Sequence, residues 1–192
     1  YRIFVAVLLL GLGSSLLGDF HDKIRKRPIL VVYGEKAPPE ERELAVALAR
    51  KGEVQAIMKG HLHTDVLLRP MLDRATGLRI GRRFTHVFVL DVPGLGHPLL
   101  VSDGAINIAP DLMTKVDIVQ NAIDLAHSLG ISQPKVAILS AVETVTPDMP
   151  SSMDAAALSK MAERGQITGG LVDGPLAMDN AVNMAAARTK GI

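Results

Sequence analysis

At 192 residues the chain is long enough for one substantial domain with a buried core, or one domain plus part of another. Its charges nearly cancel, 21 lysines and arginines against 20 carboxylates, which argues against a dedicated nucleic-acid binder with a basic face. The absence of cysteine excludes disulfides, thiolate metal ligands and cysteine nucleophiles, and with 3% aromatic residues the core must be built from Leu, Val, Ile, Ala and Met.

Residues 1–25 are an atypical apolar segment. Tyr1–Gly18 joins a basic residue, an apolar run and small residues, the pattern of a signal-peptide core, yet it is too short and glycine-interrupted for a membrane span. A buried strand or helix and a cytoplasmic location are the plainer expectation, with a signal-like role for residues 1–18 as the alternative. Pro28–Tyr33 reads as a buried strand, and Pro38-Pro39-Glu40-Glu41 opens a helix that Gly52 stops. Val54–Met58 is the next strand. After the polar turn Lys59–His63, Thr64 is expected to cap a helix with Leu67, Leu68, Met71 and Leu72 on its apolar stripe, kinked or shortened by Pro70.

A basic stretch from Asp73 to Arg83 leads to a strand over Thr85–Asp91, and Leu99–Ser102 is expected to pair with it as a hairpin. Asp103–Pro110 is a loop. Asp111 begins the longest helix, to about Leu129, with Val116, Val119, Ile123, Leu125 and Ala126 at helical spacing. Lys135–Ser140 is a strand, Ser151-Ser152 caps a helix to Arg164, Gly169–Asp173 is a short strand, Gly174-Pro175 turns, and Met178–Lys190 is a last helix. Alternating strands and helices of this length imply an α/β fold with a mostly parallel sheet and helices on both faces.

The turn after Val54–Met58 gathers the most chemistry. Gly60-His61-Leu62-His63-Thr64-Asp65 resembles the start of a zinc-hydrolase metal site, so a metal-dependent hydrolase using His61, His63 and Asp65 is one reading. Against it, the final histidine of that pattern would fall at Val66, and neither His86 in a strand nor His127 on a helix is an obvious further ligand. Read instead as an anion site, Thr64 offers a hydroxyl at an open helix start, Lys59 and Arg69 offer charge, and Gly60 allows close approach of a ligand to the backbone. The bland alternative makes Thr64 only a cap and Arg69 a solvated residue. Asp173 sits where a strand end is expected, with Asp179 beyond it, and Asp103 and Asn107 lie in a loop after a strand. All four also suit ordinary turns or first helical turns. Arg79, Arg82 and Arg83 suit a nucleotide phosphate or a solvated basic face.

Five segments in order carry a resemblance: Met58–Leu72, Thr85–Pro93, Ser102–Pro110, Pro134–Ser140 and Gly170–Ala181. Together they resemble the phosphate acetyltransferase and phosphate butyryltransferase family, in the form found in fusions of enoyl-CoA hydratase with phosphate acetyltransferase, over residues 41–192. The resemblance implies reversible transfer of an acetyl or butyryl group between coenzyme A and inorganic phosphate, with no metal or prosthetic group. It implies a three-layer α/β/α architecture like that of isocitrate and isopropylmalate dehydrogenases, a homodimer with an interdomain active site, and acyl-CoA with phosphate or acyl phosphate as partners. Neither nucleic acid nor membrane is implied.

By the same resemblance the Lys59–Asp65 turn contacts the phosphate or acyl phosphate, with Lys59, Gly60, His63, Thr64 and Arg69 as substrate-binding residues. Thr64 matches a hydroxyl position of the family and Arg69 its arginine, while His63 stands where many relatives have serine. Asp103, Asn107 and Asp173 match polar positions lining the cleft. A coenzyme A thiolate would attack the acyl phosphate with phosphate leaving, cations and hydroxyls would neutralise the developing charge, and a carboxylate, Asp173 the candidate, would assist deprotonation of the thiol. The reading takes 26–192 as the family's α/β domain without its C-terminal portion, where relatives carry a Ser-Arg pair and a following aspartate. A catalytically incomplete or partner-dependent domain of the same family is therefore the alternative expectation.

Overall fold

The computed structural model describes residues 38–59 and 61–192, together with the backbone of two earlier strands, Ala6–Leu8 and Ile29–Val32. The rest of the 1–25 segment, and Gly60, lie outside the described residues. The fold is α/β. The strands among the described residues are β1 (Ala6–Leu8), β2 (Ile29–Val32), β3 (Ala56–Lys59), β4 (His86–Leu90), β5 (Leu99–Ser102), β6 (Lys135–Leu139) and β7 (Leu171–Leu176). Among the described residues the six helices are α1 (Pro39–Lys51), α2 (Thr64–Met71), α3 (Leu112–Ser128), α4 (Pro150–Glu163), α5 (Met178–Val182) and α6 (Met184–Lys190). The strands fall into three groups, a sheet of order β1-β4-β5 and the pairs β2-β3 and β6-β7. Both pairs are parallel. β4 and β5 are neighbours, as their sequence proximity suggests.

The chain forms two compact units, one of Tyr1–Phe84 with Phe88–Leu99 and one of Thr85–Val87 with Leu100–Ile192. In the first unit β2 and β3 run in register from Ile29 opposite Ala56 to Val32 opposite Lys59. Helix α1 begins at Pro39, whose missing N–H costs nothing at a helix start, with Glu40 and Glu41 at the positive end of the dipole and Arg50 and Lys51 at the negative end. Gly52 ends it at φ +79°, a left-handed turn that glycine takes without strain. Its buried face of Ala45, Val46 and Ala49 packs with Leu62, Leu67, Met71 and Leu78 in one core cluster.

In the second unit α3 begins at the expected place. The Asp111 carboxylate accepts the Thr114 N–H at 2.7 Å, so the helix start is capped by its own sequence. Val119 and Ile123 of α3, Leu158 of α4 and Ile167 form the second core cluster, with Val136, Ile138 and Val172 from β6 and β7 packed against it. The buried Asn121 and Thr85 satisfy each other, carboxamide to hydroxyl at 3.1 Å.

Three local expectations are corrected. The sequence Gly174-Pro175 does not turn: β7 continues through it to Leu176. A bulge in the β6-β7 register falls between Ala137 and Leu139, and a Cβ on Gly174 would lie 2.7 Å from the Ile138 carbonyl oxygen, so only glycine lets the backbones approach so closely. The helix expected from Ser151-Ser152 starts at Pro150 with Met149 as its cap and no capping side chain, because the buried Ser152 hydroxyl accepts instead from the Thr146 N–H. The last helix is two helices. Asn183 interrupts it in extended conformation and its side chain accepts from Ala185 and Ala186 N–H, starting α6.

A candidate anion site at the start of α2

Strand β3 ends at Lys59, and the chain turns through Leu62 into α2. The lysine ammonium donates to the Leu62 carbonyl at 2.7 Å, so Lys59 fastens the turn from within. Leu62 is buried in the first core between exposed His61 and His63. The expected cap is displaced by one residue. His63 is the cap, in extended conformation, Thr64 is the first helical residue, and no side chain closes the helix start. Thr64 is exposed, and neither its hydroxyl nor the Arg69 guanidinium is held by another side chain or backbone group among the described residues. An open first turn presents unpaired N–H groups and the positive end of the helix dipole, which together favour a small oxyanion.

The helix runs through Pro70 and ends at Met71. Pro70 therefore does not turn Arg69 back. Five residues of regular helix separate Arg69 from Thr64 by about 7.5 Å along the axis and about 140° around it. Lys59, His63 and Thr64 are gathered at the turn, and Arg69 stands on a different face of the same short helix.

The polar residues of the second unit divide by what they do locally. The Asp103 carboxylate accepts from the Ala105 and Ile106 N–H groups at 3.0 Å each, from His86 N–H at 3.2 Å and from the Asn107 carboxamide at 2.6 Å. Partial burial raises its pKa, these four donors outweigh that effect, and the carboxyl is held below the ordinary aspartate range. Asp103 thus fixes the loop that carries Asn107. Asp173 is exposed and accepts the Gly174 N–H at 2.8 Å. It lies inside β7, opposite Ala137, and not at a strand end as the sequence suggests.

A further polar group lies just past the carboxyl ends of the parallel strands β6 and β7, the edge where α/β proteins bind ligands. Lys190 is ion-paired with Glu143 and, at 2.9 Å, with Asp179. The buried Asn180 donates to Glu143 at 2.8 Å, and its carboxamide oxygen has no partner among the described residues. Hydrogen bonds from Lys190 lower both carboxyl pKa values and raise that of the lysine, so all three groups stay charged through neutral pH. Glu143 and Lys190 lie 47 positions apart, so no local pattern announces the pair. Only the placement of Asp179 just after a strand was available as a signal.

Among the described residues no group of three or more His, Asp or Glu side chains is arranged to hold a metal ion, and His61, His63 and Asp65 do not form one. His127 hydrogen-bonds to the Gly169 carbonyl at 2.7 Å. Among the same residues no helix is long and apolar enough to cross a membrane.

Residues 15–192 match the family model described as phosphate acetyl/butaryl transferase. A phosphate acetyltransferase of Rhizobium meliloti is 62% identical over 148 residues, which are 77% of this chain and 47% of that protein. A phosphate butyryltransferase of Clostridium acetobutylicum is 46% identical over 190 residues, 95% of this chain and 63% of that protein. The chain spans between about half and three fifths of the length of these relatives. Among solved structures, a branched-chain phosphotransacylase from Enterococcus faecalis superposes with a TM-score of 0.71 at 29% identity, covering 98% of this chain and 75% of that one.

Proposed function

Since the chain belongs to the phosphate acetyl/butyryl transferase family, we propose that it takes part in reversible transfer of a short acyl group, acetyl or butyryl, between coenzyme A and inorganic phosphate. The observation that carries this reading is the uncapped start of α2, where Thr64 has an uncommitted hydroxyl beside open backbone N–H groups. Phosphate, or the phosphoryl end of an acyl phosphate, sits on those N–H groups and the Thr64 hydroxyl, with His63 beside it and Gly60 as a further proposed substrate-binding residue. Lys59 shapes the turn through Leu62, and Arg69, which matches the family's arginine, is the proposed guanidinium partner of the substrate from another face of the same helix.

In the direction of acyl-CoA synthesis, the coenzyme A sulfur forms a bond to the acyl carbon, the carbon–oxygen bond to phosphate breaks, and the electron pair leaves with phosphate. The developing charge on phosphate is met by donors already in place, so positioning and electrostatics supply most of the catalysis. Asp173 is the proposed acceptor of the thiol proton. Asp103 acts through the loop it organises, and Asn107 on that loop contacts substrate. The proposal extends to a three-layer α/β/α architecture like that of isocitrate dehydrogenases, a cytoplasmic homodimer, and acyl-CoA with phosphate or acyl phosphate as partners.

The test is phosphate-dependent release of free thiol from acetyl-CoA and butyryl-CoA. Arg69→Ala is expected to raise the KM for phosphate about tenfold or more, as loss of one charge-assisted contact would. Thr64→Val should act in the same direction to a smaller extent. Thiol release that does not depend on phosphate would sink the reading, and an unchanged phosphate KM in the Arg69 variant would remove Arg69 from the site.

A further inference from the structure

The loop that follows α2 carries Arg74, Arg79, Arg82 and Arg83, with no carboxylate between positions 74 and 90 and no lysine between 60 and 114. Four positive charges within ten residues stand out in a chain whose net charge is +1. All four are arginines, the residue whose planar fork matches phosphate oxygens two at a time.

The loop is also built. Asp73 at its base is exposed, but its Oδ1 accepts from Ala75 N–H, Thr76 N–H and the Thr76 hydroxyl at 2.7–2.9 Å. Gly77 allows a tight return, since a Cβ there would lie 2.4 Å from the Asp73 carbonyl oxygen. Leu78 is then buried in the first core and Phe84 packs against that core, so Arg79-Ile80-Gly81-Arg82-Arg83 is a short loop held at both ends. The Arg50 guanidinium reaches in from α1 to the Ala75 carbonyl at 2.6 Å, which adds a fifth arginine to the same surface. Arg74, Arg79 and Arg83 are exposed, as is the apolar Ile80.

We propose that this arginine loop binds the phosphate-bearing nucleotide end of a coenzyme A-type substrate. The proposal rests on the acyltransferase reading. The start of α2 holds the small oxyanion, and the loop begins about 12 Å further along the same helix. A long substrate with a reacting thiol at one end and phosphates at the other suits two anion-binding regions so spaced.

The direct probe is adenosine 3′,5′-bisphosphate titrated calorimetrically into the chain. Binding is expected to weaken at least tenfold in the Arg79→Ala/Arg83→Ala variant and to be recovered only in part by the corresponding lysine pair, which keeps charge but loses the fork. Equal affinity in wild type and alanine variant, or no binding by wild type at low salt, overturns the proposal. Kinetically, the variant should show a tenfold higher KM for coenzyme A, and the wild-type preference for coenzyme A over its 3′-dephospho form should shrink. An active variant with an unchanged KM for coenzyme A removes the loop assignment and leaves the acyltransferase reading standing. Arginine-dependent binding of the bisphosphate in a chain without acyl transfer does the reverse.

Discussion

The Asp103 carboxylate accepts from three backbone amides and one carboxamide, and this places its contribution in the loop's stability. Asp103→Asn removes the charge and turns one donor toward other donors, a loss of about 1.5–3 kcal/mol. Chemical denaturation at neutral pH measures it. Because the folded pKa is depressed, the stabilisation is complete above the unfolded value, near pH 4, and is lost as pH falls through the folded value. The wild-type chain should therefore lose stability faster than the Asn variant below about pH 4, and parallel acid curves would remove Asp103 from that role. Sequence placed Asp103 and Asn107 in one loop, but it could not tell a carboxylate with four donors from one open to a ligand. That difference depends on His86, seventeen positions away.

Elements whose ends are chemically marked were legible. Pro39 and Gly52 bound α1 and Asp111 starts α3, each where residue chemistry puts it. Asp111→Ala is expected to cost about 1 kcal/mol by loss of the cap, read in the midpoint of thermal or urea unfolding. Elements whose ends depend on tertiary contact were misread. Gly174-Pro175 has the chemistry of a turn, yet the approach of Ile138 makes it part of β7. Gly174→Ala should destabilise the second unit by more than the few tenths of a kcal/mol typical of exposed sites, because its methyl group meets backbone on β6. A neutral Gly174→Ala in denaturant titration would contradict that packing. The α5–α6 break carried a local signal, Asn183 with its strong capping preference, inside a run that otherwise reads as continuous helix.

At the scale of the molecule, the two compact units carry separate cores. Apolar periodicity identifies which residues are buried but not which of them share a core. Leu67→Ala in the first core and Ile123→Ala in the second should each cost about 2–5 kcal/mol. Amide hydrogen exchange distinguishes them: Leu67→Ala should lower protection mainly in α1 and α2, and Ile123→Ala mainly in α3, α4, β6 and β7. Equal loss of protection throughout both units, from either variant, would show a single cooperative core.

Leu62 is a peg in the first core with a solvent-facing histidine on either side, and Lys59 clasps its carbonyl. The turn is thus held by its middle residue. Drift in sequence should leave a matching imprint, with position 63 tolerant of many side chains for folding and position 62 confined to apolar ones of similar volume. The chemistry offered to a ligand can then be retuned at 63 without moving the scaffold that presents it.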